Sequence, residues 1–239
     1  MPFKSIALRR HLTAFSILLC SGISSFAHRE DYLDKTLVYM TLSQGEVEPE
    51  YWFDYGHRSD EKRYFARHHA VLEYGITERW MIEGGATFEK EMGRAFKFGS
   101  ALIETRYRFA EEGEWPVDLA VSLEGEYEKE DDDELFLIEP RLILSRDIGK
   151  LNFTLNLVQE YAVNERQGAF NTAFGIRHDT SRYLRLGAEH KHNWRDDRGG
   201  IMPQIWFVPH EEVTLKFGVS FPVGRNDETF GRFALELEF

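Results

Sequence analysis

The chain has 239 residues, with 41 acidic against 29 basic side chains and a net charge of −12. That acidity excludes nucleic acid as a partner, because binding a phosphate backbone needs an excess of Lys and Arg. Hydrophobic residues make up 42% and mean hydropathy is −0.44, which excludes a bundle of membrane helices. The 19 Phe and 10 Tyr favour pleated surfaces instead.

The first element reads as an export signal. Lys4, Arg9 and Arg10 form a positive n-region, Leu12 to Ile23 is apolar, and Ser25-Phe26-Ala27 supplies small residues where signal peptidase needs them. The apolar stretch is shorter than the roughly 20 residues a spanning helix requires. Residues 1–27 are therefore expected to be a signal peptide cleaved after Ala27. Cleavage would remove the single cysteine, Cys20, and three positive charges. A cysteine-free mature chain has no thiol to mispair in the oxidising periplasm. Residues 28–45 are expected to be a short, polar periplasmic lead, and 46–239 the folded domain.

From residue 46 onward the pattern has period 2, with no convincing helical stretch between. Val117 to Tyr127 places apolar, aromatic or Gly residues at every odd position, and Leu151 to Leu157 and Val213 to Phe221 follow the same rule. Successive strand side chains point to opposite faces, so each stretch has one apolar and one polar face. This reading gives about twelve strands, near 46–57, 64–76, 79–89, 97–109, 116–127, 135–146, 151–161, 169–178, 182–192, 200–209, 212–223 and 229–239.

Connections after even-numbered strands are mostly short, as at 76–78, 147–150, 179–181 and 210–211. Those after odd-numbered strands read as longer and more charged, as in Glu128 to Glu134. Short turns alternating with longer loops are the pattern of a transmembrane barrel, with an even strand count placing both termini in the periplasm. The faces agree. One carries continuous Leu, Val, Ile, Phe and Tyr, about six positions per strand, which suits an apolar belt ~25 Å tall. The other is heavily charged and would be costly in a dry soluble core. The expected fold is all-β: an antiparallel up-and-down transmembrane barrel of 10–12 strands.

The final segment, Phe230-Gly-Arg-Phe-Ala-Leu-Glu-Leu-Glu-Phe239, alternates apolar residues and ends in Phe. It resembles the C-terminal assembly signal of Gram-negative outer-membrane β-barrel proteins, and Tyr74 to Trp80 resembles the hairpin turns of small, porin-like members. The resemblance implies an outer-membrane location, Phe239 as the assembly signal read by the barrel-assembly machinery, and outer-membrane lipids and lipopolysaccharide as partners.

Three constellations invite chemistry. Glu189-His190-Lys191-His192-Asn193 resembles the His-x-Ser-Asn core of outer-membrane phospholipase A and the lipid A deacylases, but His192 stands where the nucleophile belongs, and imidazole cannot replace Ser there. His68-His69 and His190-x-His192 offer too few ligands for zinc. The run Glu128 to Glu134 lacks the spacing and central Gly of a calcium loop and reads as a solvated loop. Neither metal nor cofactor is expected.

The inward charges carry the functional reading. Glu104, Arg106, Arg108, Glu124, Glu139, Arg141, Glu160, Arg177, Arg185 and Glu189 share the polar parity, together with Glu73, Glu83, Glu126 and Lys216. A ring of such charges either fills a narrow barrel or selects solutes by charge. The expectation is a non-enzymatic, narrow passive channel for small polar solutes, or a structural barrel. The alternatives are a lipid-modifying hydrolase and a barrel acting through its surface loops.

Overall fold

The computed structural model describes residues 31–60, 62–130 and 133–239. The expected signal peptide and its cleavage site lie outside these residues. Twelve strands follow one another: β1 (Val47–Arg58), β2 (Arg63–Thr77), β3 (Trp80–Glu91), β4 (Lys97–Arg108), β5 (Asp118–Glu130), β6 (Asp133–Ile148), β7 (Leu151–Ala162), β8 (Gln167–Ser181), β9 (Leu184–Asn193), β10 (Arg198–His210), β11 (Val213–Gly224) and β12 (Glu228–Leu237). Each pairs antiparallel with its sequence neighbours, and β12 closes on β1. Closure leaves no edge strand with unpaired backbone groups, which is the condition for a sheet to stand in hydrocarbon. The seam continues past the last strand. The Val47 N–H donates to the Phe239 carbonyl and the Phe239 N–H donates to the Val47 carbonyl, both at 3.0 Å.

The outer face is the apolar parity of each strand. Leu72, Ile103, Leu123, Leu142, Phe174, Leu186, Ile205 and Phe217 form its middle, all exposed on the isolated chain. Aromatic rings flank them. Trp80, Tyr107, Phe109 and Trp115 lie toward the end that carries the termini. Tyr55 stacks on Tyr64, and Phe98 stacks on Tyr127, toward the distal end. An apolar band between two aromatic girdles is the surface a lipid bilayer covers.

One expectation about connections is corrected. The charged stretch Glu128–Glu134 is not a long loop, because β5 runs to Glu130 and β6 starts at Asp133, with Glu128 opposite Leu135 and Lys129 opposite Glu134. Charges this far from the apolar belt can sit on a strand in water, so polarity alone does not end pairing. The longest connection, 109–117, instead joins β4 to β5 at the end that carries the termini. It folds on itself: the Gly113 N–H donates to Asp118 Oδ1 at 2.8 Å, and Glu111 takes Arg108 at 2.6 Å and Arg79 at 3.1 Å.

The stretch expected as a periplasmic lead is also placed differently. Its described part enters the barrel. Tyr32, Leu33, Leu37, Val38, Tyr39, Met40 and Leu42 are all buried. Tyr32, Leu37, Val38, Tyr39 and Met40 form one cluster with Ala120, Ile143 and Trp206, while Leu33 joins Trp52, Phe65, Met202, Phe230 and Ala234 in another. Burial of this many apolar groups offsets the entropy of ordering the segment.

Candidate functional site in the barrel interior

The described segment 31–43 forms a finger that turns inside the barrel and runs back to the end where β1 begins. Its tip is a tight turn in which the Tyr32 N–H donates to the Thr36 carbonyl at 3.0 Å and the Lys35 N–H donates to the Tyr32 carbonyl at 3.3 Å. Lys35 has φ 63°, a left-handed conformation uncommon for a residue with a Cβ. Beyond the tip, the Val38 N–H donates to Asp31 Oδ1 at 2.5 Å and joins the two limbs.

The finger has no strand partner, so its backbone groups are met by side chains from the wall. Asn156 Nδ2 donates to the Leu37 carbonyl and Oδ1 accepts from the Leu37 N–H, both at 2.8 Å. Gln204 Oε1 accepts from the Leu33 N–H at 3.0 Å, and Arg232 donates to the Leu33 carbonyl at 2.9 Å. Lys216 Nζ donates to the Asp31 carbonyl at 2.6 Å. The Tyr32 hydroxyl donates to Asn152 Oδ1 at 2.8 Å. Buried backbone groups without partners are expensive, and these contacts remove that cost.

The wall also makes room. A Cβ at Gly175 would stand 2.6 Å from the Tyr32 ring, and one at Gly75 would stand 1.9 Å from the Ser43 carbonyl oxygen. Only glycine permits the finger this close to the strands at both points.

The inward charges named from the sequence fall around this finger. Arg106 donates to Asp31 Oδ2 at 2.7 Å and to the Val38 and Met40 carbonyls at 3.3 Å each, with Glu104 Oε1 3.4 Å away. Arg108 donates to Thr41 Oγ1 at 3.1 Å and to the Glu78 carbonyl at 2.8 Å. Arg141 donates to the Lys35 carbonyl at 3.0 Å and stands 3.8 Å from Glu124 and 3.6 Å from Glu139. Glu189 accepts from the Thr36 N–H at 3.2 Å, from its hydroxyl at 2.7 Å and from the Asp34 N–H.

Of the ten, Arg106, Arg141 and Glu189 bond the finger's backbone, whereas three others are held elsewhere. Glu160 accepts from Asn171 Nδ2 at 2.8 Å. Arg177 lies 4.5 Å over the Trp206 ring and 5.7 Å over that of Tyr32, a cation–π arrangement. Arg185 stands 3.8 Å from Asp179 Oδ1. Sequence reasoning missed Asn152, Asn156, Gln204, Arg232 and Asp54. All five have the inward parity; three are neutral amides, which attract less notice than charges, and Arg232 and Asp54 are a charged pair. Arg232 joins Asp54 through bonds of 2.6 and 2.7 Å and is thereby aimed at the finger.

Strand register arranges the acids in an arc. Glu236 lies opposite Glu50, Glu48 opposite Glu73, Glu73 opposite Glu83, Glu83 opposite Glu104, Glu104 opposite Glu124, and Glu124 opposite Glu139. The arc thus runs from β12 across β1 to β6. Like charges facing one another are unfavourable, so the arc demands cations. Lys216 meets Glu236, while Arg106 and Arg141 serve β4 to β6. At the distal rim, Arg58 and Arg67 bind Glu89 and Glu228 in a separate network. Above the finger's tip lies a cavity of about 490 Å³ lined by Asp34, Lys35, Glu124, Glu139, Arg141 and Lys191, among others.

The histidines are dispersed. His68 faces outward and shares a hydrogen bond of 2.6 Å with the Tyr51 hydroxyl, whereas His69 faces inward, 2.9 Å from Thr87 Oγ1 and 3.3 Å from Asp54. His190 Nδ1 lies 3.0 Å from the Gly200 carbonyl, with the His192 ring 6.1 Å away.

A closed twelve-stranded antiparallel wall, apolar outside and charged within, has the fold of outer-membrane β-barrels. Solved structures similar to it include a KdgM porin in complex with disordered oligogalacturonate, with a TM-score of 0.61, 8% identity, and coverage of 80% of this chain and 99% of that one. An outer membrane channel from Pseudomonas putida F1 has a TM-score of 0.59 at 10% identity, covering 84% and 97%. Outer membrane phospholipase A from Escherichia coli has 0.55 at 11%, covering 82% and 94%. At these identities the likeness is one of fold. No protein-family model matches the chain, and no curated protein does.

Proposed function

We propose that this protein is an outer-membrane channel for small polar solutes whose interior is occupied by its own N-terminal finger. In this reading the end carrying the termini faces the periplasm, the chain is delivered by cleavage after Ala27, and the partners are outer-membrane lipids, lipopolysaccharide and the barrel-assembly machinery. The observation that carries it is that the wall is complete without the finger. Every strand is paired on both sides, and residues 31–43 contribute to none of those pairings. The finger can therefore leave without breaking a wall hydrogen bond, and the surface it uncovers carries, beside an apolar patch, the charged and amide groups that water solvates. A porin of the same fold solved with oligogalacturonate supports a polar cargo. The protein is read as non-enzymatic, since His190 is engaged by backbone and an imidazole occupies the position of a nucleophile.

Single-channel recording in planar bilayers tests the proposal. The full chain is expected to show low or intermittent conductance, and a variant lacking residues 31–43 a steady ohmic one. If neither conducts, the channel reading falls. The well-packed finger supports a second reading, a permanently closed structural barrel, which that outcome would favour.

A further inference from the structure

The apex of the finger places an ammonium among carboxylates. Glu124, Glu126 and Glu139, on β5 and β6, hold oxygen atoms within 4.8 Å of one another. The wall supplies Arg141 to this group. The second cation comes from outside the wall: Lys35 Nζ stands 3.9 Å from Glu124 Oε1, its side chain 29% exposed to the distal cavity. Three carboxylates thus face one fixed guanidinium, and the second positive charge, which still leaves one negative charge in excess, comes from a group on a separable element. Lys35 reaches the spot only through a left-handed backbone at the turn. The occupant is therefore an ammonium on a short alkyl stem, approached from the open side by the same cavity a solute would use.

We infer that the Glu124, Glu126 and Glu139 group is a binding site for solutes bearing a primary ammonium, and that Lys35 holds it as an internal substitute for such a solute. A cationic solute entering from the distal side competes with Lys35 for these carboxylates. In doing so it removes one of the contacts that keep the finger's tip in place, so binding and finger withdrawal are coupled. Binding at the site stands independently of conduction, while passage of the solute rests on the channel reading above.

The probe is n-propylammonium, the fragment that Lys35→Ala deletes. In detergent-folded full chain, calorimetric titration is expected to show at least tenfold tighter binding to Lys35→Ala than to the wild type, where Lys35 competes. The gain should vanish in Lys35→Ala combined with Glu124→Gln and Glu139→Gln. Equal binding to all three proteins, or none to Lys35→Ala, overturns the inference. A second measurement uses Lys35→Gln, which keeps a side chain of similar length. Its potassium-to-chloride permeability ratio should exceed that of the same variant carrying Glu124→Gln several-fold, and equal ratios count against the site. Probe binding without conductance in any variant sinks the channel reading and leaves the site standing. Conductance without ammonium preference does the reverse.

Discussion

Asn156 grips Leu37 as one strand grips another: its amide donates to the Leu37 carbonyl and accepts from the Leu37 N–H, each at 2.8 Å. One side chain thereby replaces a missing strand partner for a residue 119 positions away in sequence. Asn156 is itself fully buried, so both bonds form away from water. Hydrogen bonds to buried backbone are costly to leave unmade, at about 1–3 kcal/mol for each orphaned group.

Replacing Asn156 by Ala orphans both groups and should therefore loosen the finger by about 2–6 kcal/mol while sparing the wall. Because the sequence holds one cysteine, Cys20, a Lys35→Cys reporter in a Cys20→Ser background offers a single thiol. Maleimide labelling from the distal side is expected to accelerate roughly tenfold or more in the Asn156→Ala background, since about 1.4 kcal/mol is a factor of ten. An unchanged rate would show that Asn156 does not hold the finger.

Gly175→Val tests the fit of the finger against the wall. Its Cβ would meet the Tyr32 ring at 2.6 Å, and the ring has no room among Leu37, Val38 and Trp206. The variant should assemble as a barrel with the tip displaced, read by the same thiol reporter. Gly84→Ala serves as its control, because the nearest atom to that added Cβ is 4.0 Å away. Equal labelling of the two variants would contradict the packing described.

Substitutions at Phe239 test assembly and stability separately. Its side chain is 73% exposed while its backbone completes the seam with Val47. Phe239→Ala should leave the thermal midpoint of the folded barrel nearly unchanged but reduce the yield of membrane-inserted protein in cells. Deleting residue 239 removes the two backbone bonds as well and should lower both. A large loss of midpoint in Phe239→Ala would mean that the ring serves the fold and not its assembly.

Leu123→Arg probes the membrane face. Leu123 is 50% exposed at mid-height, on the face opposite the lumen. In liposomes the substitution should cost about 2–4 kcal/mol, the penalty for a cation at the bilayer midplane of a barrel. Urea titration of folding in liposomes measures it. A cost near zero would place Leu123 in water and undo the transmembrane assignment.

The twelve strands were legible because their signal is local. A residue's face follows from the parity of its position, so Glu104, Glu124 and Glu139 could be placed inside and Leu123 outside without knowing which strands meet. The boundaries came within a few residues for the same reason, down to β11, expected at 212–223 and found at Val213–Gly224. Parity failed where a stretch is uniformly polar, as between Glu128 and Glu134, since an unbroken charge run looks like a loop even when it is paired.

The finger was not legible in this way. A hint existed in Leu37-Val-Tyr-Met-Thr-Leu42, an apolar run with no alternation and no reason to stay in water. What the run packs on, however, is set by Asn152 and Asn156, Glu189, Gln204, Lys216 and Arg232, which lie on β7, β9, β10, β11 and β12. Those groups come together only when the wall closes. By itself the sequence determined which side chains meet lipid and which meet the interior, because strand geometry alternates them. Only the closed barrel decided what fills that interior, because an irregular segment takes its position from partners that are distant in sequence.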